Sequence, residues 1–379
     1  MDFGLTAEQQ RRYAEILNAT REQLGGIGAP AGHLRRERWR AAARLGLTGL
    51  CLPAEYGGGS LGALDTALCL EAFGRGCPDT GLVFAVSAHL LAGAVAIRDF
   101  GSDEVRKRFL PGLAAGELIA ANAITEEEAG SDTSRLAVSA CRDGDDYVIT
   151  GEKSFASNAP DADVLLTYAT TSPGDGFLGT SAFVVPVGSP GVTVSEPLAK
   201  MGLGGCPAGR VTFRECRVPV SCRLGDEGQG STIFAHAMAW ERACLFAAYV
   251  GLMDDQLERC IARARTRRQF GRPIARFQAV SHRIAVMKQR LEGSRLLLYR
   301  GCWLLDEQQP GYAGAIALGK VAVSEAAVAN SLDAIQIFGG NGYLASAGIE
   351  RYLRDSVPTT LFSGTTEIQR EIIAQEAGL

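Results

Sequence analysis

The spacing of hydrophobic and polar positions changes twice along the chain. Up to about residue 120 apolar positions recur with helical spacing, interrupted by turn clusters at "PAEYGGGSLG" (53–62) and "RGCPDTG" (75–81). Between about 121 and 222 the pattern shortens to β-branched runs separated by Gly, Pro, Asp and Asn: "DYVITG", "DVLLTYATT", "SAFVVPV", "GVTVSEPL" and "GRVTFRECRVP". Such runs predict a compact β-domain. From about 223 to the C-terminus long helical patterns return, and no internal repeat is visible. The predicted organisation is a helical domain over 1–120, a β-barrel over 121–222 and a helical bundle over 223–379. Segregated helices and strands point to an α+β molecule rather than an alternating parallel sheet.

The opening "MDFGLTAEQQRRYAEIL" reads as an amphipathic helix without the apolar core of a signal peptide. The most apolar stretch, 81–97, contains Ser87 and His89 and falls short of a membrane span, which predicts a buried helix with His89 as a satisfied core histidine. Charge and composition then remove whole classes of function. A net charge of −4 and a pI near 5.7 argue against nucleic acid as a bulk partner. Ten cysteines without a CxxC pair and four histidines without ligand spacing predict reduced thiols in a cytoplasm and no metal site, and the short reach of 81–97 predicts no membrane partner.

Chemistry concentrates in a few segments. Glu241 and Arg242 interrupt an otherwise apolar helix, "STIFAHAMAWERACLFAAYVGLM" (231–253), which is apolar nearly all round and so should be buried. The helical neighbours of Glu241 are Ala237, Met238, Cys244 and Leu245, none charged. A buried carboxylate in such surroundings suits a general base, and a structural ion pair with a distant cation explains it equally well. In "ARARTRRQFGRPIARFQ" (262–278) Arg263, Arg265, Arg267, Arg268 and Arg272 crowd a helix end that the Gly271 and Pro273 pair would terminate. With Phe270 beside them they suit a dinucleotide's phosphates and adenine, although a solvated face also fits. "QIFGGNGY" (336–343) reads as a helix cap and turn. In "LFSGTTEIQREII" (361–373) Thr366 and Gln369 have capping-box spacing, so a helix with free N–H groups begins there. "AITEEEAGSD" (123–132) is a polar turn, and "GEKSFASN" (151–158) sets an aromatic and a hydroxyl on alternate strand positions, where a core Phe is the plain alternative.

Together and in order, these segments resemble the acyl-CoA dehydrogenase superfamily over almost the whole chain. "AITEEEAGSD" is similar to its first signature, with Glu127 and Glu128 where Pro-Gly is usual; "RRQFGRPIARFQ", "QIFGGNGY" and "SGTTEIQR" are similar to later ones. The resemblance implies the acyl-CoA dehydrogenase fold, with an N-terminal helical domain, a central β-barrel and a C-terminal four-helix bundle. It implies FAD between the β-domain and the C-terminal helices, crossing a dimer interface in a dimer of dimers. Ile124, Thr125, Gly130, Ser131, Phe155 (where Trp is common) and Ser157 would be flavin-side residues. Arg267, Gln269, Phe270, Ile274 and Phe277 would reach a neighbouring subunit's FAD with Gln336, Ile337 and Gly340, and Thr365 and Glu367 complete the set. Ser131, Arg242 and Ser363 would face the substrate.

Ser363 stands where most of that family carries its catalytic glutamate. A minority branch places the base on the earlier helix, followed by arginine and 26 residues before the arginine of the later signature, which is the spacing of Glu241 and Arg267 here. The implied reaction is α,β-desaturation of an acyl thioester, with Glu241 taking the α-proton and the backbone N–H at Ser363 polarising the carbonyl. Electrons would pass to an electron-transfer flavoprotein or O₂. Other segments, among them "GLVFAVSAHL", "KMGLGGCPAGRVTFRECRVP" and "WERACLFAAYVG", resemble the branch acting on L-prolyl groups tethered to a peptidyl carrier protein in natural-product biosynthesis. Ala239, where CoA-using relatives often hold an aspartate, points the same way. A catabolic short- or branched-chain acyl-CoA dehydrogenase, a flavin monooxygenase on the same fold and a non-catalytic scaffold are the alternatives. Retained Glu241 speaks against the monooxygenase, and intact cofactor signatures against the scaffold.

Overall fold

The computed structural model describes residues 4–26 and 36–379, so Met1–Phe3 of the amphipathic opening lie outside the described residues. In chain order the helices are α1 (Ala7–Leu24), α2 (Arg36–Arg44), α3 (Ala63–Gly76), α4 (Thr80–Ala88), α5 (Val95–Phe100), α6 (Asp103–Ala114), α7 (Gly230–Cys244), α8 (Ala247–Thr266), α9 (Gln278–Asp306), α10 (Tyr312–Phe338), α11 (Gly340–Tyr343), α12 (Glu350–Ser356) and α13 (Thr366–Glu376). The strands are β1 (Ala120–Ala123), β2 (Ser139–Asp143), β3 (Asp146–Ser157), β4 (Val164–Thr170), β5 (Thr180–Pro186), β6 (Val192–Val194), β7 (Ala208–Pro219), β8 (Arg223–Leu224), β9 (Arg268–Gln269) and β10 (Arg272–Pro273). The described residues form two compact units: 4–26, 63–83 and 242–379, and 36–62 and 84–241.

The first unit is helical. α1 begins at a capping box, in which Thr6 Oγ1 accepts from the Gln9 amide and the Gln9 side chain accepts from the Thr6 amide. α3 packs against α1, α8 and α9. Its contact with α8 is close because both helices carry glycine there: a Cβ on Gly74 would fall 2.1 Å from the Ala248 carbonyl oxygen. Segments far apart in sequence therefore share this core. The stretch 231–253, expected as one helix buried all round, is two. α7 ends at Cys244 and α8 starts after Phe246, and the first half of α7 is only partly buried.

The second unit is built on one sheet with strand order β6-β7-β3-β2-β4-β5-β8 and β1 parallel to β4. The five β-branched runs are β3 to β7; β1, β2 and β8 are too short or too polar to stand out in the sequence. Tyr147, Ile149, Leu165, Ala169, Phe183 and Phe213 lead its core. β3 pairs with β7 through two irregularities, the second between Lys153 and Ala156. An inserted residue of this kind bends a strand and re-aims its side chains, and here it pushes Phe155 outward at φ +55°. Asn158, at φ +68°, closes the strand by donating to the Ala85 carbonyl at 2.9 Å.

Between α4 and α5 the helix passes through a π-helical turn, His89–Ala94. The whole helical stretch Thr80–Phe100 is 21 residues, long and apolar enough to cross a membrane, which corrects the length judgement from sequence; 94 % of its 18-residue apolar window is buried inside the chain, as in a core helix. His89 is fully buried and satisfied at both ring nitrogens. Nδ1 accepts from the Ala120 amide at 2.9 Å, so Nε2 carries the hydrogen toward the Leu113 carbonyl at 3.2 Å. Burial pushes its pKa down from 6.5 to about 4. Below pH 6.5 the unfolded chain takes up a proton that the folded chain refuses, so His89 should remove on the order of 3 kcal/mol of stability as pH falls from 6.5 to 4. Urea midpoints at pH 7 and 5 measure this, and His89→Gln should flatten the difference. An equal loss in the variant would assign the acid sensitivity elsewhere.

Candidate active site

Glu241 lies near the C-terminal end of α7 and is 7 % exposed. A helical period aligns it with Met238 and Phe234 on one stripe. The next residue, Arg242, sends Nε to the Ser363 carbonyl at 2.7 Å, and the Gln369 side-chain amide donates to the same oxygen at 3.3 Å. These donors hold a strained loop, with Ser363 at φ +57° and Gly364 at φ +85°. A Cβ on Gly364 would stand 2.7 Å from Gln369 Nε2, so only glycine fits there. The structure thus brings the expected substrate-side residues Arg242 and Ser363 together, with Arg242 shaping the loop through its carbonyl.

The helix after this loop is α13, capped one residue earlier than the sequence suggested. Thr365 Oγ1 accepts from the Ile368 amide at 3.3 Å, whereas Thr366 donates to the Thr360 carbonyl. Gln369 closes no capping box because its side chain is committed to Ser363. Thr365 is half-buried and Glu367 exposed.

The arginine-rich segment also differs from expectation. α8 stops at Thr266, and Arg268–Gln269 pairs with Arg272–Pro273 in a minimal hairpin. Its two loop residues, Phe270 and Gly271, have φ of +48° and +77°, as a tight hairpin of this hand requires. The hairpin, not a Gly-Pro helix stop, ends the helical run, and it leaves Phe270 93 % exposed. Arg267 and Gln269 are exposed beside it, and the Arg267 carbonyl accepts from the Ile274 amide at 2.8 Å. Phe277 meets Phe270 edge-on at 6.0 Å and carries the Arg272 guanidinium at 4.2 Å. At the end of α10, Gln336 and Gly340 are exposed while the Ile337 side chain is buried.

In the β-unit, Ile124 and Thr125 are half-buried, and Gly130 and Ser131 are exposed. The turn that carries them rests on a buried ion pair the sequence reading missed. Lys153 Nζ, fully buried, donates to Glu126 Oε1 at 2.7 Å and to the Ile124 carbonyl at 3.1 Å. Glu126 accepts further from the amides of Ala137 and Val138. No sequence signal marks it, because Glu126 is one of three consecutive glutamates in a segment that reads as a polar turn. Phe155 is 59 % exposed, so it is no core residue, and Ser157 lies two positions on, half-buried.

Positive φ costs a non-glycine residue roughly 1–2 kcal/mol and tends to persist where function demands it. Phe155, Phe270 and Ser363 all carry it. Phe155 in the second unit and Phe270 in the first each present an aromatic ring to solvent, the kind of surface on which a planar aromatic group stacks, and beside Phe270 the exposed Arg267 and its neighbours suit phosphates.

Comparison with known proteins agrees with this chemistry. Residues 7–117, 121–216 and 228–378 match the families described as the N-terminal, middle and C-terminal domains of acyl-CoA dehydrogenase. The chain is 53 % identical over 381 residues to an L-prolyl-[peptidyl-carrier protein] dehydrogenase of Pseudomonas fluorescens, covering 100 % of both. It is 45 % identical over 348 residues to a Serratia protein of the same description, covering 91 % of this chain and 89 % of the relative. A solved structure described as PigA with FAD and proline superposes with a TM-score of 0.94 at 41 % identity, over all of both chains. The fold is that of these enzymes, with N-terminal helical, middle β and C-terminal helical domains, and the chain belongs to the acyl-CoA dehydrogenase family.

Proposed function

We propose that this chain is an FAD-dependent dehydrogenase of an L-prolyl thioester carried on a peptidyl carrier protein, acting in natural-product biosynthesis. The observation that carries the reading is the 53 % identity, along the full length of both chains, to a relative described by that activity. Glu241, buried on α7, serves as the base for the α-proton. The backbone N–H of the Ser363 loop polarises the thioester carbonyl as negative charge develops, which the loop's fixed geometry suits because a preorganised donor needs no reorganisation. Arg242 and Gln369 hold the loop through the Ser363 carbonyl, and the backbone N–H survives replacement of the side chain, so a change there need not abolish activity. Bound FAD supplies the acceptor for the hydride that leaves the β-carbon.

Phe155 and Ser157 would lie along the flavin, with Ile124, Thr125, Gly130 and Ser131 at its edge and Ser131 also toward the substrate. Arg267, Gln269, Phe270, Ile274, Phe277, Gln336, Ile337, Gly340, Thr365 and Glu367 would hold the remainder of FAD. We assign the domains to 1–120, 121–222 and 223–379 and the enzyme to the cytoplasm. A homo-oligomer is supported by α10, 27 residues long with an 18-residue apolar window only 56 % buried within the chain, and by Trp303 and Leu332, each 50 % exposed.

Intact-mass analysis of prolyl-loaded carrier protein tests the reading. Two rounds of desaturation, with FAD reoxidised between them by O₂ or an electron-transfer flavoprotein, should remove four hydrogens to give the pyrrolyl thioester, while prolyl-CoA reacts poorly. Efficient turnover of simple acyl-CoAs with no change on the carrier would return the chain to a catabolic role.

A further inference from the structure

β4 is buried on both sides. Leu165 and Ala169 enter the sheet core, and Tyr168, on the opposite face, meets Phe234 of α7 edge-to-face at 5.6 Å. Phe234 in turn meets Phe177 at 5.6 Å. Phe234 lies seven residues before Glu241, two helical turns along the same stripe, so the Tyr168 ring packs against the stripe that carries the base. Tyr168 is fully buried, and its hydroxyl oxygen has no hydrogen-bond partner. Leaving a buried hydroxyl unsatisfied costs about 1–3 kcal/mol, and phenylalanine would fill the space without that cost. Burial first, and the Glu241 carboxylate second, push the phenol well above its ordinary range. It therefore stays neutral and can both accept and donate a hydrogen bond.

We propose that the Tyr168 hydroxyl accepts a hydrogen bond from the ring nitrogen of the prolyl group, making Tyr168 a specificity-determining residue for nitrogen-bearing acyl thioesters. The inference rests on the prolyl reading above and names a group that recognises that ring. In a prolyl thioester the nitrogen is bonded to the same carbon whose proton Glu241 removes. A partner for the N–H must then stand close to the carboxylate, and a neutral oxygen meets an ammonium or amine N–H without adding a second negative charge. A site built to hydrogen-bond a substrate N–H discriminates strongly against analogues that lack it, because its own polar group is then left unpaired.

The test compares two carrier-tethered substrates of one ring size, prolyl and cyclopentanecarbonyl, in the FAD-loaded wild type and in Tyr168→Phe. Rates of hydrogen loss are read by mass spectrometry and FAD content by absorbance. The variant should hold its FAD, lose roughly tenfold or more of its prolyl rate for the missing hydrogen bond, and keep or raise its cyclopentanecarbonyl rate. Equal losses on both substrates would mean that the hydroxyl serves a step common to both rather than the ring nitrogen, and an unchanged prolyl rate would mean that nothing there meets the nitrogen; either overturns the assignment. Inactivity of the wild type toward the prolyl carrier, with activity on acyl-CoAs, overturns the prolyl reading and this inference together, and is visible before any variant is made.

Discussion

Glu241→Gln should slow substrate-dependent flavin reduction by a factor of about 10²–10⁴ while leaving FAD bound, the usual contribution of a positioned general base. The glutamine keeps the shape of a side chain that is 7 % exposed on a packed helix, so the loss would report proton transfer rather than folding. Ser363→Ala provides the counter-test. The side chain there projects from a loop held through its carbonyl by Arg242 and Gln369, and the substitution removes neither contact. Most of the rate should survive. Stopped-flow reduction with both variants decides the matter, and a slow Ser363→Ala beside a fast Glu241→Gln would move the base to the loop.

The second large effect concerns stability. Lys153→Met would strip the cation from a pair in which Glu126 and Lys153 are both buried. Burial is the largest influence on Lys153 and pushes its pKa down from 10.5 to about 8 in spite of Glu126 beside it, so the pair as a whole stabilises little. Breaking it is another matter, because the carboxylate left behind is uncompensated; such losses run to about 3–5 kcal/mol. The Ile124 carbonyl loses its donor at the same time, so FAD retention should weaken in parallel. Replacing both partners, as Glu126→Gln with Lys153→Met, should recover part of the loss. Urea unfolding measures each; a Lys153→Met loss below roughly 1 kcal/mol would mean that the pair is effectively solvated.

How much of this was legible in sequence depends on the range of the forces involved. Helical and strand periods located the β-rich middle, and β3 to β7 form where β-branched runs had been read, because burying one face imposes a period on the chain itself. A lone histidine on an apolar helix implies a satisfied core residue, and both ring nitrogens of His89 are bonded. The misreadings were local competitions decided by neighbours. Gln369 has capping-box spacing but is drawn to the Ser363 carbonyl. Arginines read as a helix end became a hairpin once Phe270 and Gly271 took positive φ.

By itself the sequence determined the order of helical and β-rich segments and singled out Glu241, since a carboxylate in an apolar helix stands out in one dimension. Only the tertiary structure decided that Phe155 faces outward from an irregular β3–β7 pairing, that Arg242 holds the Ser363 loop, and that Lys153 meets Glu126. It also set Tyr168 against the α7 stripe that carries Glu241. Each of these joins residues from 27 to 121 positions apart or turns on a backbone angle that pairing imposes. No sequence period encodes such contacts, because they arise when separately formed elements close on one another and the cost of a buried charge or hydroxyl selects its partner.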